Sequence, residues 1–230
     1  MQQEVQKVED VGTAGAQLFV AAAQRSIEAR GTFYVALSGG STPLEMYAHL
    51  VEDYRDAPFW TQTQVFWGDE RFVPHDDEDS NYGAAKAHLI RHVPIPDGQV
   101  HPWPYLEDEP ERSAHSYAAI ISEVLGEEPQ FDLTFLGLGD DAHTASLFPG
   151  TGAVQEEGLA VVVRPDGKGT RLSLTASLLS QSRTVAFLVQ GEKKREALGA
   201  TLHGEKDIER YPAQAVSAQE QLLWLTDLDV

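Results

Sequence analysis

The chain has 230 residues, enough for one large domain or two small ones, and 42% of them are hydrophobic, enough for a substantial core. Lys and Arg number 17 against 36 Asp and Glu, a formal net charge of -19, which argues against a nucleic-acid or anionic-membrane partner because both need a basic footprint. Cysteine is absent, which excludes disulfides, thiolate metal sites and cysteine nucleophiles.

The first twenty residues show no basic stretch leading into an apolar core, and no apolar run approaches the ~18 residues of a membrane span, so a cytoplasmic location is expected. Residues 11–29 are Ala-rich with apolar positions at helical spacing, and Gly31 follows as a C-cap; the spacing predicts that a helix opens the domain. Residues 33–37, FYVAL, read as a buried strand, followed by Gly39–Gly40 and a helix with Pro43 in its first turn. QVFW repeats the pattern, ending in the charged GDER loop and then SNYGAAKAHLI, a helix that Ser80 or Asn81 caps. A Pro-rich connector at 93–111, with room for a short strand, leads to the helical RSAHSYAAIISEVL and the strand FDLTFLGLG. LAVVVRP, TRLSLTASLL, TVAFLVQG, the helical KKREALGATL and a terminal strand in LLWLTDL complete the order. Strands alternating with helices predict an α/β fold, with residues 1–230 forming a single three-layer domain of mostly parallel sheet and helices on both faces.

In such sheets ligands bind at the carboxyl ends of the strands, which puts SGGST, GDER, GLGDDAH and GEKK on one rim. LSGGSTP at 37–43 has the parts of a phosphate cradle: Gly39 and Gly40 for close backbone approach, the Ser41 and Thr42 hydroxyls, and helix N-terminal N–H groups. The same segment serves equally as an ordinary strand-to-helix turn, and the absence of Gly-Lys-Ser/Thr sets nucleotide hydrolysis aside. In GDER, Arg71 offers its fork of donors to a phosphate or carboxylate, while Asp69 and Glu70 orient substrate hydroxyls or hold Arg71; one of the two acids is expected to be structural. His143, in GLGDDAHTASLFPG, has strand-end glycines before it and acids beside it, so it suits proton transfer near neutral pH with Asp141 setting its tautomer. The other seven histidines are read as structural or solvated. Arg171, Lys193 and Lys194 are cations next to strand ends in a very acidic chain, and one of the two lysines is expected to be surface only. No Gly-x-Ser-x-Gly elbow occurs, so a Ser-His-Asp acyl-enzyme is disfavoured, and no His-Glu-x-x-His spacing occurs, so no required metal is expected beyond opportunistic binding at Asp140, Asp141 and His143; no cofactor is expected.

Taken together, LSGGSTP, WGDERFVPHDDEDSNYG, FDLTFLGLGDDAHTASLFPG, TRLSLT and GEKKREAL resemble the 6-phosphogluconolactonase family in order and spacing over nearly the whole chain. The resemblance implies a fold similar to that of glucosamine-6-phosphate isomerases and hydrolysis of 6-phospho-glucono-1,5-lactone in the oxidative pentose phosphate pathway. It implies His143 as general base, Asp141 as the acid beside it and Asp69 as a further site acid. Gly39, Gly40, Ser41, Arg71, Arg171 and Lys194 match positions around the sugar phosphate. Ala142 departs from the family's Asp-Gly-His, and its methyl is expected to resist a positive φ and tilt His143. The related isomerases carry a glutamate five residues after this histidine; here that position is Phe148, which can neither orient an imidazole nor relay a proton. The isomerase reading is thereby disfavoured. A non-catalytic sugar-phosphate sensor would need a helix-turn-helix segment for which the chain has no room. The expected partner is a small sugar phosphate lactone, for a protein acting as a monomer or weak homo-oligomer.

Overall fold

The computed structural model describes residues 2–229. It opens on a strand, β1 (Gln2–Lys7), where the sequence reading begins with a helix. QQEVQK has no apolar run, and β1 exists through its parallel pairing with the last strand, Gln2 beside Gln221 and Lys7 beside Thr226. α1 (Val11–Arg30) follows, its first turn capped by Asp10 accepting from the Thr13 N–H at 2.6 Å and its end closed by Gly31 at φ 78°. Next come β2 (Phe33–Leu37), α2 (Ser41–Tyr54), β3 (Thr63–Trp67), β4 (Asp69–Arg71) and α3 (Asn81–His88). The chain continues through α4 (Pro110–Leu125), β5 (Leu133–Gly137), β6 (Ala160–Val163), β7 (Arg171–Leu174), α5 (Ala176–Ser180), β8 (Thr184–Val189), α6 (Arg195–His203) and β9 (Gln221–Thr226).

Six strands form one sheet in the order β1-β9-β8-β5-β2-β3, parallel at every pairing. Helices cover both of its faces. By register Phe66 shares a face with Ala36 and Thr134, so Phe135 points to the other side. Phe66 meets Tyr117 of α4, whereas Phe135 stacks on Phe19 of α1, which also packs edge-on against Phe33. Burying such a ring fully contributes about 1.5–3 kcal/mol, so these layers hold the sheet.

The Pro-rich connector contains no strand, only a lone bridge from Val100 to Val65. Trp103 anchors it instead, stacking on Tyr117 and donating its indole N–H to Trp67 O at 2.9 Å. GDER is not a loop. Gly68 donates to Leu37 O in the large sheet and accepts from Leu174 N, and the three residues after it form β4 in a second sheet, β4-β7-β6, antiparallel throughout.

Candidate active site

In the large sheet the chain leaves β2 toward β3 on one side and returns through β5 and β8 on the other. The carboxyl ends of β2 and β5 therefore flank the crevice where strand order reverses. At the first, Ser38 O is held by the Tyr47 hydroxyl at 2.9 Å, and Gly40, at φ 107°, starts α2 without any side-chain cap. The N–H groups of that first turn are thus left open, as an anion requires. Gly39 has no alternative: a Cβ there would lie 1.8 Å from Asn81 Oδ1.

The small sheet explains the charged cluster. In the antiparallel pair of β4 and β7, Asp69 lies opposite Ser173 and Arg71 opposite Arg171, and a period of two puts all four on one face. Two guanidiniums directly across a ladder repel by a few tenths to ~1 kcal/mol. Among the described residues neither makes an ion pair, and Arg171 makes no side-chain hydrogen bond; Arg71 reaches only the Asp79 carbonyl, at 2.5 Å. Burial, then the Arg71 charge, pushes Arg171 below its usual range. An anion between the two would relieve that repulsion.

Glu70 points to the other face. Its carboxylate accepts the N–H groups of Arg71, Asn81 and Tyr82 at 2.8, 2.7 and 2.8 Å and the Ser80 hydroxyl at 3.0 Å. Ser80 in turn caps α3 by accepting from Gly83 N. The structural acid of the pair is thus Glu70, acting on a helix terminus rather than in the ion pair the sequence suggested. Asp69 is buried against the site, accepting from the Ser146 hydroxyl at 2.6 Å and from Asn81 Nδ2 at 3.3 Å. Desolvation raises its carboxyl above the usual range, with Ser146, Arg71, His143 and Arg171 opposing.

After β5 the chain turns tightly. Ala142 N donates to Gly139 O at 3.0 Å and Gly139 N to His143 O at 2.8 Å, while His143 Nδ1 bonds Asp141 Oδ1. Gly139 gives the imidazole its room, since a Cβ would stand 1.9 Å from His143 Nδ1 and 2.7 Å from Asp141 Oδ1. Ala142 adopts φ 60° with its methyl buried, so the positive φ that the sequence reading expected an alanine to resist is present, and the imidazole still bonds Asp141. Desolvation pushes Asp141 up, yet the His143 hydrogen bond, that ring's charge and Lys168 outweigh it and hold the carboxyl at about 2. An ionised acceptor at Nδ1 requires the ring proton there, which leaves the Nε2 lone pair as the basic atom.

Two adjoining clefts share Asp69, Arg71, His143 and Ala145. One, about 210 Å³, runs from Gly39 and Gly40 past Asn81 to Lys194; the other, about 200 Å³, is closed by Ser146, Phe148, Lys168 and Arg171. Of the residues singled out from sequence, Asp69, Arg71, His143, Gly39, Gly40, Lys194 and Arg171 border this space. Asp141 stands behind His143. Lys194 also bonds Asp140 at 2.6 Å, which lowers that carboxyl, and Lys193 borders neither cleft. Ser41 and Thr42 form the first turn of α2, directly after the cleft-lining Gly39 and Gly40.

Asn81, Ser146 and Lys168 also line this space, although the sequence reading gave none of them a role in the site. Phe148 does hold the imidazole plane, by stacking with ring centres 4.2 Å apart, although it offers no proton acceptor. Lys168 arrives from the β6–β7 hairpin, a residue whose only sequence signal is a lysine between two turn glycines.

The family model described as glucosamine-6-phosphate isomerases/6-phosphogluconolactonase matches residues 6–224. A 6-phosphogluconolactonase of Synechocystis sp. is 42% identical over 208 residues, spanning 88% of this chain and 85% of that protein. The crystal structure of 6-phosphogluconolactonase from Thermotoga maritima superposes with a TM-score of 0.85 at 29% identity, covering 97% of this chain and 98% of the other. A monomeric glucosamine-6-phosphate deaminase shares the fold, with a TM-score of 0.77 at 18% identity over 98% of this chain and 97% of that one.

Proposed function

The chain belongs to the glucosamine-6-phosphate isomerase/6-phosphogluconolactonase family, and from that premise we propose that His143 is the general base for lactone opening in the paired clefts. The overall activity is that of a carboxylic ester hydrolase, turning 6-phospho-glucono-1,5-lactone into 6-phosphogluconate within the pentose phosphate pathway.

One observation carries the reading: an imidazole with Nδ1 committed to an ionised Asp141 and Phe148 stacked against it, beside a cleft lined by two arginines that make no ion pair among the described residues. His143 Nε2 takes a proton from water as the oxygen attacks the lactone carbonyl. The tetrahedral intermediate expels the ring oxygen, and the imidazolium returns the proton to it, leaving a free hydroxyl and a carboxylic acid that ionises. Asp141 holds the ring and its tautomer. Asp69 accepts a substrate hydroxyl. Gly39, Gly40, the first-turn N–H groups of Ser41 and Thr42, Arg71, Arg171 and Lys194 receive the phosphate dianion, whose binding supplies positioning. An isomerase would need a carboxylate relay where Phe148 stands. The same proposal takes residues 1–230 as one cytoplasmic domain, a monomer or weak homo-oligomer that needs no metal or cofactor.

The test is a coupled assay of 6-phosphogluconolactone loss, corrected for spontaneous hydrolysis, beside unphosphorylated gluconolactone and glucosamine 6-phosphate. Preference for the phosphorylated lactone is expected. Isomerisation of the amino sugar, or no catalysis above the spontaneous rate, would refute the assignment.

A further inference from the structure

The hairpin joining β6 to β7 places Lys168 between Gly167 and Gly169, which sit at φ 71° and 69°, a left-handed geometry that glycine adopts at little cost. Its backbone N–H closes the turn on Pro165 O at 3.2 Å. From there Lys168 Nζ reaches Asp141 Oδ2 at 3.3 Å and stands 4.4 Å from the centre of the Phe148 ring. Asp141 Oδ1 is the oxygen bound to His143, and Phe148 is the ring stacked on His143. Both supports of the imidazole therefore have a second contact, and it is the same ammonium.

We propose that Lys168 is a positioning residue of the lactone-opening site, dividing the Asp141 carboxylate with His143 so that it fixes the dyad and limits how strongly Asp141 favours the imidazolium. This rests on His143 being the base. A carboxylate shared with a permanent cation presents less negative charge to the ring and is held in place from two sides. Other charges facing His143 come from several elements: Asp141 on its own loop, Asp69 and Arg71 from β4, Arg171 from β7, and Lys194 after β8, where it is paired with Asp140. Among the described residues only Lys168 bonds the dyad's carboxylate from another element, and its side chain is half-exposed on a hairpin tip, so substituting it leaves the core untouched.

The experiment compares kcat/KM against pH for wild type, Lys168→Met, Lys168→Arg and His143→Ala, with melting temperature followed for each. Loss of the charge should move the acid limb of the Lys168→Met profile upward, because one half-exposed cation next to the dyad's carboxylate is then gone. Its plateau kcat should fall severalfold with KM for the phosphorylated lactone little changed. Lys168→Arg should keep the limb where wild type has it. Superimposable wild-type and Lys168→Met profiles would overturn the inference, as would an equal shift in Lys168→Arg, which would make the effect one of shape. Undiminished turnover in His143→Ala would instead overturn the general-base reading, and the inference with it.

Discussion

Gly139→Ala is a steric probe of the catalytic turn. The backbone at Gly139 lies outside the left-handed region, so alanine adds no conformational strain, and the perturbation is the methyl alone. That methyl would stand 1.9 Å from His143 Nδ1, 2.2 Å from its Cε1 and 2.7 Å from Asp141 Oδ1, where ordinary contacts run at 3.4–4 Å. The imidazole must retreat by about 1.5 Å and the carboxylate by about 0.7 Å to accept it. Misplacing a reacting group by ~1 Å costs on the order of 10²-fold in rate, equivalent to about 2.7 kcal/mol of transition-state stabilisation. The phosphate contacts proposed for Gly39, Gly40, Arg71 and Arg171 are untouched. Steady-state kinetics of the variant should therefore show kcat reduced about a hundredfold or more, with KM nearly unchanged and a cooperative melting transition retained. A kcat within a few fold of wild type would refute the claim that His143 works from the position the turn gives it.

Arg171→Ala should raise KM for the phosphorylated lactone and leave hydrolysis of the unphosphorylated one unaffected; equal loss for both would remove Arg171 from the phosphate site. Because the substitution also ends the repulsion with Arg71, its stability should stay within ~1 kcal/mol of wild type in denaturant titration. Asp69→Asn tests the buried carboxyl. An acid raised by desolvation binds its proton more tightly in the folded state, so it destabilises the protein as pH rises through its folded pKa and not below the unfolded value near ~4. The variant should melt higher than wild type at neutral pH, the difference closing as pH falls to about 4, and should lose activity; a lower melting point at neutral pH would contradict this. Ala142→Gly relieves a left-handed alanine worth ~1–2 kcal/mol but forfeits a buried methyl worth ~0.8 kcal/mol and adds unfolded-state entropy worth ~0.5–1 kcal/mol. Stability within about 1 kcal/mol of wild type and unchanged kcat are expected, and a large gain in kcat would mean that Ala142 does tilt His143.

FYVAL and FDLTFLGLG were legible as strands because they are apolar runs ended by glycine, and apolar runs with such punctuation carry their own signal. The rim they build followed from topology. β1 was invisible for the opposite reason: QQEVQK is polar, and its partner β9 lies more than two hundred residues away. β4 is three charged residues whose strand character comes from pairing with β7, so GDER looked like a loop. That pairing is also what turns Asp69 and Arg71 to the cleft and Glu70 away from it, a division the sequence predicted in kind but could not assign. Lys168 reaches Asp141 only because a hairpin folds back over the site, and nothing local to GKG encodes that distance. The stacking of Phe148 on His143 likewise depends on the return of the chain after Thr144, which bonds Gly137 O.

The most direct measurement is the single-turnover rate of His143→Ala on 6-phosphogluconolactone at saturating enzyme, with spontaneous hydrolysis subtracted. The account predicts a rate lower by about 10²- to 10⁴-fold, with substrate affinity and melting temperature close to wild type. A variant that opens the lactone as fast as wild type would show that the proton leaves water by another route, and the mechanism built on that imidazole would be wrong.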